Sequence, residues 1–294
     1  MQQLQGRVVV ITGAGSGFGR EFARLGHEYG MQLVLADVQA DALARTVDEL
    51  KAKGAAIVSA VVDVAKREQV ATLADRAYAE FGKVNLVFNN AGVGGGGYIW
   101  ESSERDWQWV MGVNVMGVVH GVQAFVPRML AANRNGEPGH IVNTASMAGW
   151  VNPPLMGVYN VSKHAVVSLT ESLYHDLRMA GSTIGVSLLS PAFVPTGITQ
   201  SERNRPSELN NGGEPTESQK LARANSNKAV GSGKMTAVEV AKLTFDAVRA
   251  DHFYIFTHPK ILPSVRDRFE AALAGTAPAD PLAAKPVASH LSAR

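Results

Sequence analysis

The chain contains no cysteine, which excludes disulfides, thiolate nucleophiles and any cysteine-ligated zinc site, that of the zinc-dependent alcohol dehydrogenases included. Its eight histidines show no HExxH or comparable ligand spacing, so no metal is expected. Neither sign of charge predominates. Against 26 acidic residues stand 28 basic ones, a net charge of +2 with no long basic run, and this leaves no electrostatic footprint for nucleic acid or an anionic membrane. Long hydrophobic runs are also scarce: the longest, Val110 to Val126, is interrupted by Asn114, His120 and Gln123 and is expected to be too short and polar to cross a bilayer. The first strand begins near Arg7, leaving no room for a signal-peptide hydrophobic region, so a cytoplasmic protein with small-molecule partners is expected.

What is present is a core. Hydrophobic residues make up 46% and charged residues 18% of 294 positions, the balance of a soluble globular protein with one large domain or two small ones. Short β-branched runs alternate with helical periodicity. Strands are expected over 7–12, 32–36, 56–62, 84–89, 140–145, 184–190 and 253–257, and helices over 17–29, 40–53, 67–80, 103–131, 155–180 and 237–250. Repeated βαβ units of this length give a parallel sheet covered by helices on both faces, and "RVVVIT" or "QLVLAD" read as strands buried on both sides. One doubly wound, Rossmann-like α/β domain over 1–258 accounts for the pattern. Two segments depart from it: the polar stretch 195–235, either a substrate lid or a disordered insertion, and a C-terminal extension over 259–294, whose Ala/Pro-rich part from 276 is either a mobile tail or an arm onto a neighbouring subunit. Thr236 and Glu239 have capping-box spacing ahead of the helix at 237.

In a doubly wound sheet, ligands collect where strands end and helix N-termini offer unpaired N–H groups to a phosphate. "TGAGSGFG" at 12–19 holds that place after the first strand. GxGxxG fails at Phe18, whereas GxxxGxG fits Gly13, Gly17 and Gly19, expected to make the tight turn, admit a pyrophosphate and let the helix approach the sheet; Ser16 and Phe18 lie between them, and Gly15 is not required. Asp37 ends the second strand 18 positions after Gly19, where a carboxylate accepts from the adenosine ribose hydroxyls and repels a 2′-phosphate. Ser16 and Val38 are not basic, so NAD is favoured over NADP.

With the glycine loop, "NNAG" at 89–92, Asn114 in the long helix, Ser146 and "YNVSK" at 159–163, the chain resembles the short-chain dehydrogenase/reductase family from about residue 5 to 257. Tyr159 and Lys163, at i and i+4, share one helix face. Tyr159 is then the general acid/base for hydride exchange between nicotinamide and an alcohol or carbonyl carbon. A free phenol titrates near 10, and the Lys163 ammonium and an oxidised nicotinamide are expected to lower it by about 3 units. Ser146, at the end of the preceding strand, is expected to hydrogen-bond the substrate oxygen.

The resemblance further implies that Lys163 binds the nicotinamide ribose and that Asn114 holds a water joining Lys163 to solvent. Asp63 and Val64 are expected at the adenine. Asn90, beside Ala91 and Gly92 of the cofactor-binding set, is either a structural hydrogen-bonding residue or a direct cofactor contact. After the sixth strand the family's Pro-Gly is replaced by Pro191-Ala192, with Val194 and Thr196 read as carboxamide contacts. Gly94 to Gly97 form either a flexible loop or bare backbone making room for a bulky substrate. Trp150, Met156 and Phe193 are candidate substrate-pocket residues. A homotetramer or homodimer built through helices 103–131 and 155–180 is implied. The expected activity is NAD-dependent oxidoreduction of an apolar secondary alcohol or ketone. The alternatives are an NADP-dependent carbonyl reductase, a catalytically silent dinucleotide-binding regulator, and a sugar-nucleotide epimerase, for which the C-terminal segment is too short.

Overall fold

Alternation of side chains explains why the strands are unbroken apolar runs. In β1 (Val8–Thr12), Val9 and Ile11 enter one core while Val8 and Val10 enter another, because successive residues of a strand point to opposite faces. With helices on both faces, most positions are apolar, and buried exceptions such as Asn143 and Ser187 are hydrogen-bonded. The computed structural model describes residues 1–281, and the tail beyond 281, with the alternatives drawn for it, lies outside the described residues.

The remaining strands are β2 (Gln32–Asp37), β3 (Ile57–Val61), β4 (Leu86–Asn89), β5 (His140–Thr144), β6 (Gly185–Ser190) and β7 (Tyr254–Phe256), all parallel in a seven-stranded sheet ordered β3-β2-β1-β4-β5-β6-β7. Between them run α1 (Gly17–Glu28), α2 (Ala40–Lys51), α3 (Arg67–Phe81), α4 (Glu104–Met111), α5 (Gly117–Asn133), α6 (Ala148–Val151), α7 (Gly157–Met179), α8 (Glu217–Gly231) and α9 (Ala237–Ala250), with α10 (Leu262–Leu273) following β7. One face is held by aromatic packing. The rings of Phe22 on α1 and Phe88 on β4 stack at 4.2 Å, and Phe245 on α9 meets both edge-on. The order reverses between β1 and β4, and the crevice there faces the glycine loop.

Three departures from the expected elements matter. Helix 103–131 is instead α4 and α5 joined by a π-turn at Gly112–Met116, an element with no sequence signature of its own. The composite run Glu104–Asn133 is long and apolar enough, by length and composition, to span a bilayer, which corrects the expectation drawn from Val110 to Val126. Half of its apolar window is nevertheless buried inside the protein, as befits a core helix. Segment 195–235 is ordered: tight turns at Gly197–Asn204 and Ser207–Leu209 lead into α8. Its start was marked by Thr216 and Gln219, which form the same reciprocal cap as Thr236 and Glu239.

Where the central strands β1 and β4 begin, the fully buried Asn85 accepts from Val8 N–H (3.0 Å) and donates to Glu137 Oε1 (2.7 Å) and Pro138 O (2.9 Å). Glu137 also receives Arg7 at 2.6 Å. Asn85→Ala is expected to destabilise the fold by about 2–3 kcal/mol in urea unfolding, because it strands buried polar groups; a loss below about 0.5 kcal/mol would remove this network from the account of stability.

Candidate active site

Close backbone approach decides the glycine loop. Gly13 and Gly17 take positive φ of 70° and 52°, which costs glycine nothing. A β-carbon on residue 19 would lie 2.1 Å from the Gly13 carbonyl oxygen. Gly19 therefore fits the helix against its own loop rather than against the sheet. Gly15, set aside on motif grounds, is equally constrained: its N–H donates to Asp37 Oδ2 at 2.8 Å, and a β-carbon there would sit 2.9 Å from that oxygen. Gln39 N–H holds the other carboxylate oxygen at 2.8 Å. Asp37 is thereby aimed along the cavity wall. The first turn of α1 carries no acidic side chain and Ser16 makes no side-chain cap, so its N–H groups remain available to an anion.

Thr12 joins this loop to the next. Its hydroxyl donates to Phe88 O (3.2 Å) and accepts from Asn90 N (2.9 Å) and Ala91 N (3.1 Å), while Asn90 Nδ2 returns a bond to Thr12 O (3.0 Å). Of the two alternatives for Asn90, these bonds are structural. Thr12 was overlooked in the sequence, although a hydroxyl ending an apolar strand was its signal.

Opposite stand the polar residues of α7. Lys163 is 4% exposed and donates to Thr144 O at 3.0 Å, with its nitrogen 5.6 Å from the centre of the Tyr159 ring. Burial pushes its pKa down to about 8. The Tyr159 ring lines the cavity, yet enclosure of the phenol raises its pKa, and the hydrogen bond with Ser146 offsets only part of that rise. The expected lowering by Lys163 is thus not what the side chains alone produce, because both groups lose hydration together. Ser146 also donates to Pro191 O (3.3 Å) and accepts from Ala148 N (3.1 Å). Asn114, in the π-turn, accepts from Val93 N–H (2.8 Å) and donates to Val93 O and Ser162 Oγ (both 3.0 Å). Both of its amide hydrogens are thus used by protein groups, and its Oδ1 accepts one bond. Ser162, unassigned in the sequence, donates to Tyr159 O at 2.8 Å and so couples Asn114 to the helix.

A single cavity of about 1030 Å³ is lined by Asp37, the glycine loop with Ser16 and Phe18, and Ser146, Tyr159 and Lys163. Asp63, Val64, Asn90, Ala91 and Gly92 line it as well, as do Pro191, Val194 and Thr196. Asn114 stands behind this wall beside Gly92 and Lys163. Three candidates fall elsewhere. Trp150 is buried on α6, donates to Ser190 Oγ at 3.0 Å and packs on Tyr254 and Phe256; Met156 caps α7 beside Gly97; Phe193 is 38% exposed. None belongs to the cavity lining. Size and apolarity had suggested all three, and those properties serve packing as readily. Val93, Trp109, Ile198, Ser201 and Leu209 line the cavity instead. Above Trp109, at 4.9 Å, lies the guanidinium of Arg205, whose side chain is 5% exposed and donates to Asp106 at 2.6 Å. This pair fastens the segment after Thr196 onto α4.

Because the folded pKa of Lys163 lies below the unfolded value of 10.5, its burial costs stability fully below about pH 8 and not at all above about pH 10.5. Lys163→Met is therefore expected to stabilise the fold by about 2 kcal/mol at neutral pH, after allowing for the orphaned Thr144 carbonyl, with the gain vanishing as pH rises through the lysine range. Urea unfolding at two pH values reads this directly; a variant less stable than wild type at neutral pH would refute it.

The model of the short chain dehydrogenase family matches residues 7–207. A short chain dehydrogenase/reductase from Burkholderia phymatum, solved in complex with NAD, superposes with a TM-score of 0.94 at 59% identity, covering 96% of this chain and 100% of that one. The CLA biosynthesis dehydrogenase/reductase of Lactiplantibacillus plantarum is 32% identical over 281 residues, 95% of this chain and 97% of the relative. The C alpha-dehydrogenase of a Sphingobium species is 33% identical over 279 residues, 95% and 89% of the two chains.

Proposed function

The chain belongs to the short chain dehydrogenase family, and from that premise we propose that it is an NAD-dependent oxidoreductase interconverting an apolar secondary alcohol and its ketone. The observation that carries the proposal is one continuous cavity with a fixed carboxylate, Asp37, at one end and Ser146, Tyr159 and Lys163 at the other. The glycine loop fits a dinucleotide, since a β-carbon at 13, 15 or 19 would crowd the turn that exposes the α1 N–H groups.

Bound NAD would supply the hydride acceptor. The rest falls to the chain. In the oxidative direction the Ser146 hydroxyl donates to the substrate oxygen and polarises it, while Tyr159 Oη takes the hydroxyl proton. Tyr159 enters this step as the phenolate and leaves it as the phenol; Lys163, with a pKa near 8, is largely protonated at neutrality and its charge favours that phenolate beforehand. Asn114, clamped on Val93 and Ser162, positions that pair, and Val194 and Thr196 would bind the carboxamide. Val93, Trp109, Ile198 and Leu209 favour an apolar substrate. Exposed Met116 and Val161 on the long helices support the homotetramer or homodimer. The NADP alternative would draw on Arg45, an exposed base at the Asp37 end of the cavity, against the opposing Asp37 carboxylate.

Purified protein with NAD, NADP and a panel of aliphatic, aromatic, steroid and terpenoid alcohols and ketones, followed by nicotinamide absorbance, tests the proposal. Tyr159→Phe is expected to lower turnover by about a thousandfold, the scale of a lost general acid/base, with NADH binding unchanged; residual activity near wild type would remove Tyr159 from that role. Asp37→Ala with Val38→Arg is expected to shift the kcat/KM ratio toward NADP by at least about a hundredfold. An unmoved ratio would sink the ribose contact.

A further inference from the structure

The run Gly94–Gly97 is neither a free loop nor open space for a ligand. Gly94 N–H donates to Ser201 Oγ at 2.9 Å, and Gly97 N–H donates to Leu155 O at 2.9 Å. The run lies between α8 on one side and the turn preceding α7 on the other. A β-carbon on residue 96 would stand 2.7 Å from the Ala222 β-carbon and 3.2 Å from Leu155 O; one on residue 97, where φ is +119°, would stand 2.8 Å from Gln219 Cγ. Bare backbone is needed here because a helix sits on it.

That helix has little else to hold it. Of the residues of α8, only Ser218 and Ala222 are buried, four apart and so on one face. Ser218 accepts from Tyr98 N–H at 2.9 Å and donates to Glu101 at 2.5 Å. A helix of this length draws its stability from such packing rather than from its own propensity. The same segment supplies Ile198, Ser201, Leu209 and Val230 to the cavity wall. Leu155 immediately precedes Met156, the cap of the helix carrying Tyr159.

We propose that Gly96 and Ala222 are a size-matched positioning pair whose contact sets how closely the segment 197–231 covers the substrate end of the cavity. Their contact fixes the width of the pocket over Tyr159 without touching the reacting atoms. This rests on the oxidoreductase assignment, since the quantity controlled is substrate affinity. Neither residue lines the cavity, so their substitution acts through the position of α8.

The test compares Gly96→Ala, Ala222→Val and the exchange Gly96→Ala/Ala222→Gly, with cyclohexanol and menthol as slim and bulky probes. An added methyl in a filled contact displaces its neighbour, and each single variant is expected to raise KM for cyclohexanol about tenfold, with kcat and the NADH dissociation constant within about threefold of wild type. The exchange is expected to recover at least half of that loss on a logarithmic scale. An unchanged KM in both single variants, or no recovery in the exchange, overturns the proposal. Ala222→Val carries the test if Gly96→Ala misfolds, because it loads the same contact from the surface helix. Hydrogen exchange of the α8 amides needs no turnover and is expected to accelerate about tenfold in the single variants and revert in the exchange. Unaltered exchange refutes the pair, whereas an altered pattern in a protein that turns over neither alcohol nor ketone counts against the oxidoreductase assignment alone.

Discussion

At the point where the strand order reverses, the buried hydroxyl of Thr12 donates to Phe88 O and accepts from Asn90 and Ala91. Strand β1 delivers the glycine loop and β4 delivers the segment leading to Gly92, and no β1–β4 ladder extends past Ile11 and Phe88 to hold the two together. Parallel strands diverge at such a switch point and open a crevice. Thr12 fixes its width, and Gly13, whose α-carbon leaves 3.0 Å between an added β-carbon and Ala91, permits the approach. Every other feature of the cavity is registered against these two chain segments.

The second constraint is electrostatic. A lysine ammonium that is 4% exposed has exchanged bulk hydration for one carbonyl, and its pKa falls to about 8 in consequence. The fold tolerates the cost because the aromatic and aliphatic cores on both faces of the sheet supply ample apolar burial. Enclosure raises the pKa of the Tyr159 phenol and lowers that of the Lys163 ammonium, so it separates two groups that titrate close together in water. The side chains by themselves thus leave the proton on Tyr159, and a further positive charge beside the phenol is what would bring its pKa down.

The wall contributed by the segment after Thr196 is held by a different kind of contact. The segment after Thr196 has few buried residues, and specific points attach it: Arg205 on Asp106 and Trp109, Ser201 on Gly94, and the small face of α8 on the glycine run. Most of these attachments run through side chains, whereas the glycine loop and the segment leading to Gly92 are tied largely through backbone groups.

The order of strands and helices, the parallel sheet, the glycine loop with Asp37, and Ser146, Tyr159 and Lys163 were all legible from the chain itself. Most are encoded by a local periodicity or by a characteristic spacing along the chain: burial on both faces keeps strands largely apolar, and i to i+4 spacing puts Tyr159 over Lys163. What could not be read was set by contacts between residues far apart in sequence. Gly15 is required by Asp37, Gly96 by Ala222 and Leu155, and Asn114 is committed to Val93 and Ser162. Trp150 and Phe193 advertised an apolar pocket, yet Trp150 packs on Tyr254 and Phe256 and Phe193 stays exposed, while Trp109 lines the cavity beneath Arg205 from a distant segment. Local sequence determines which element forms and which face it presents; which face meets which is decided only when the sheet brings their backbones together, and at this site that meeting determines what each glycine and each large apolar residue is for.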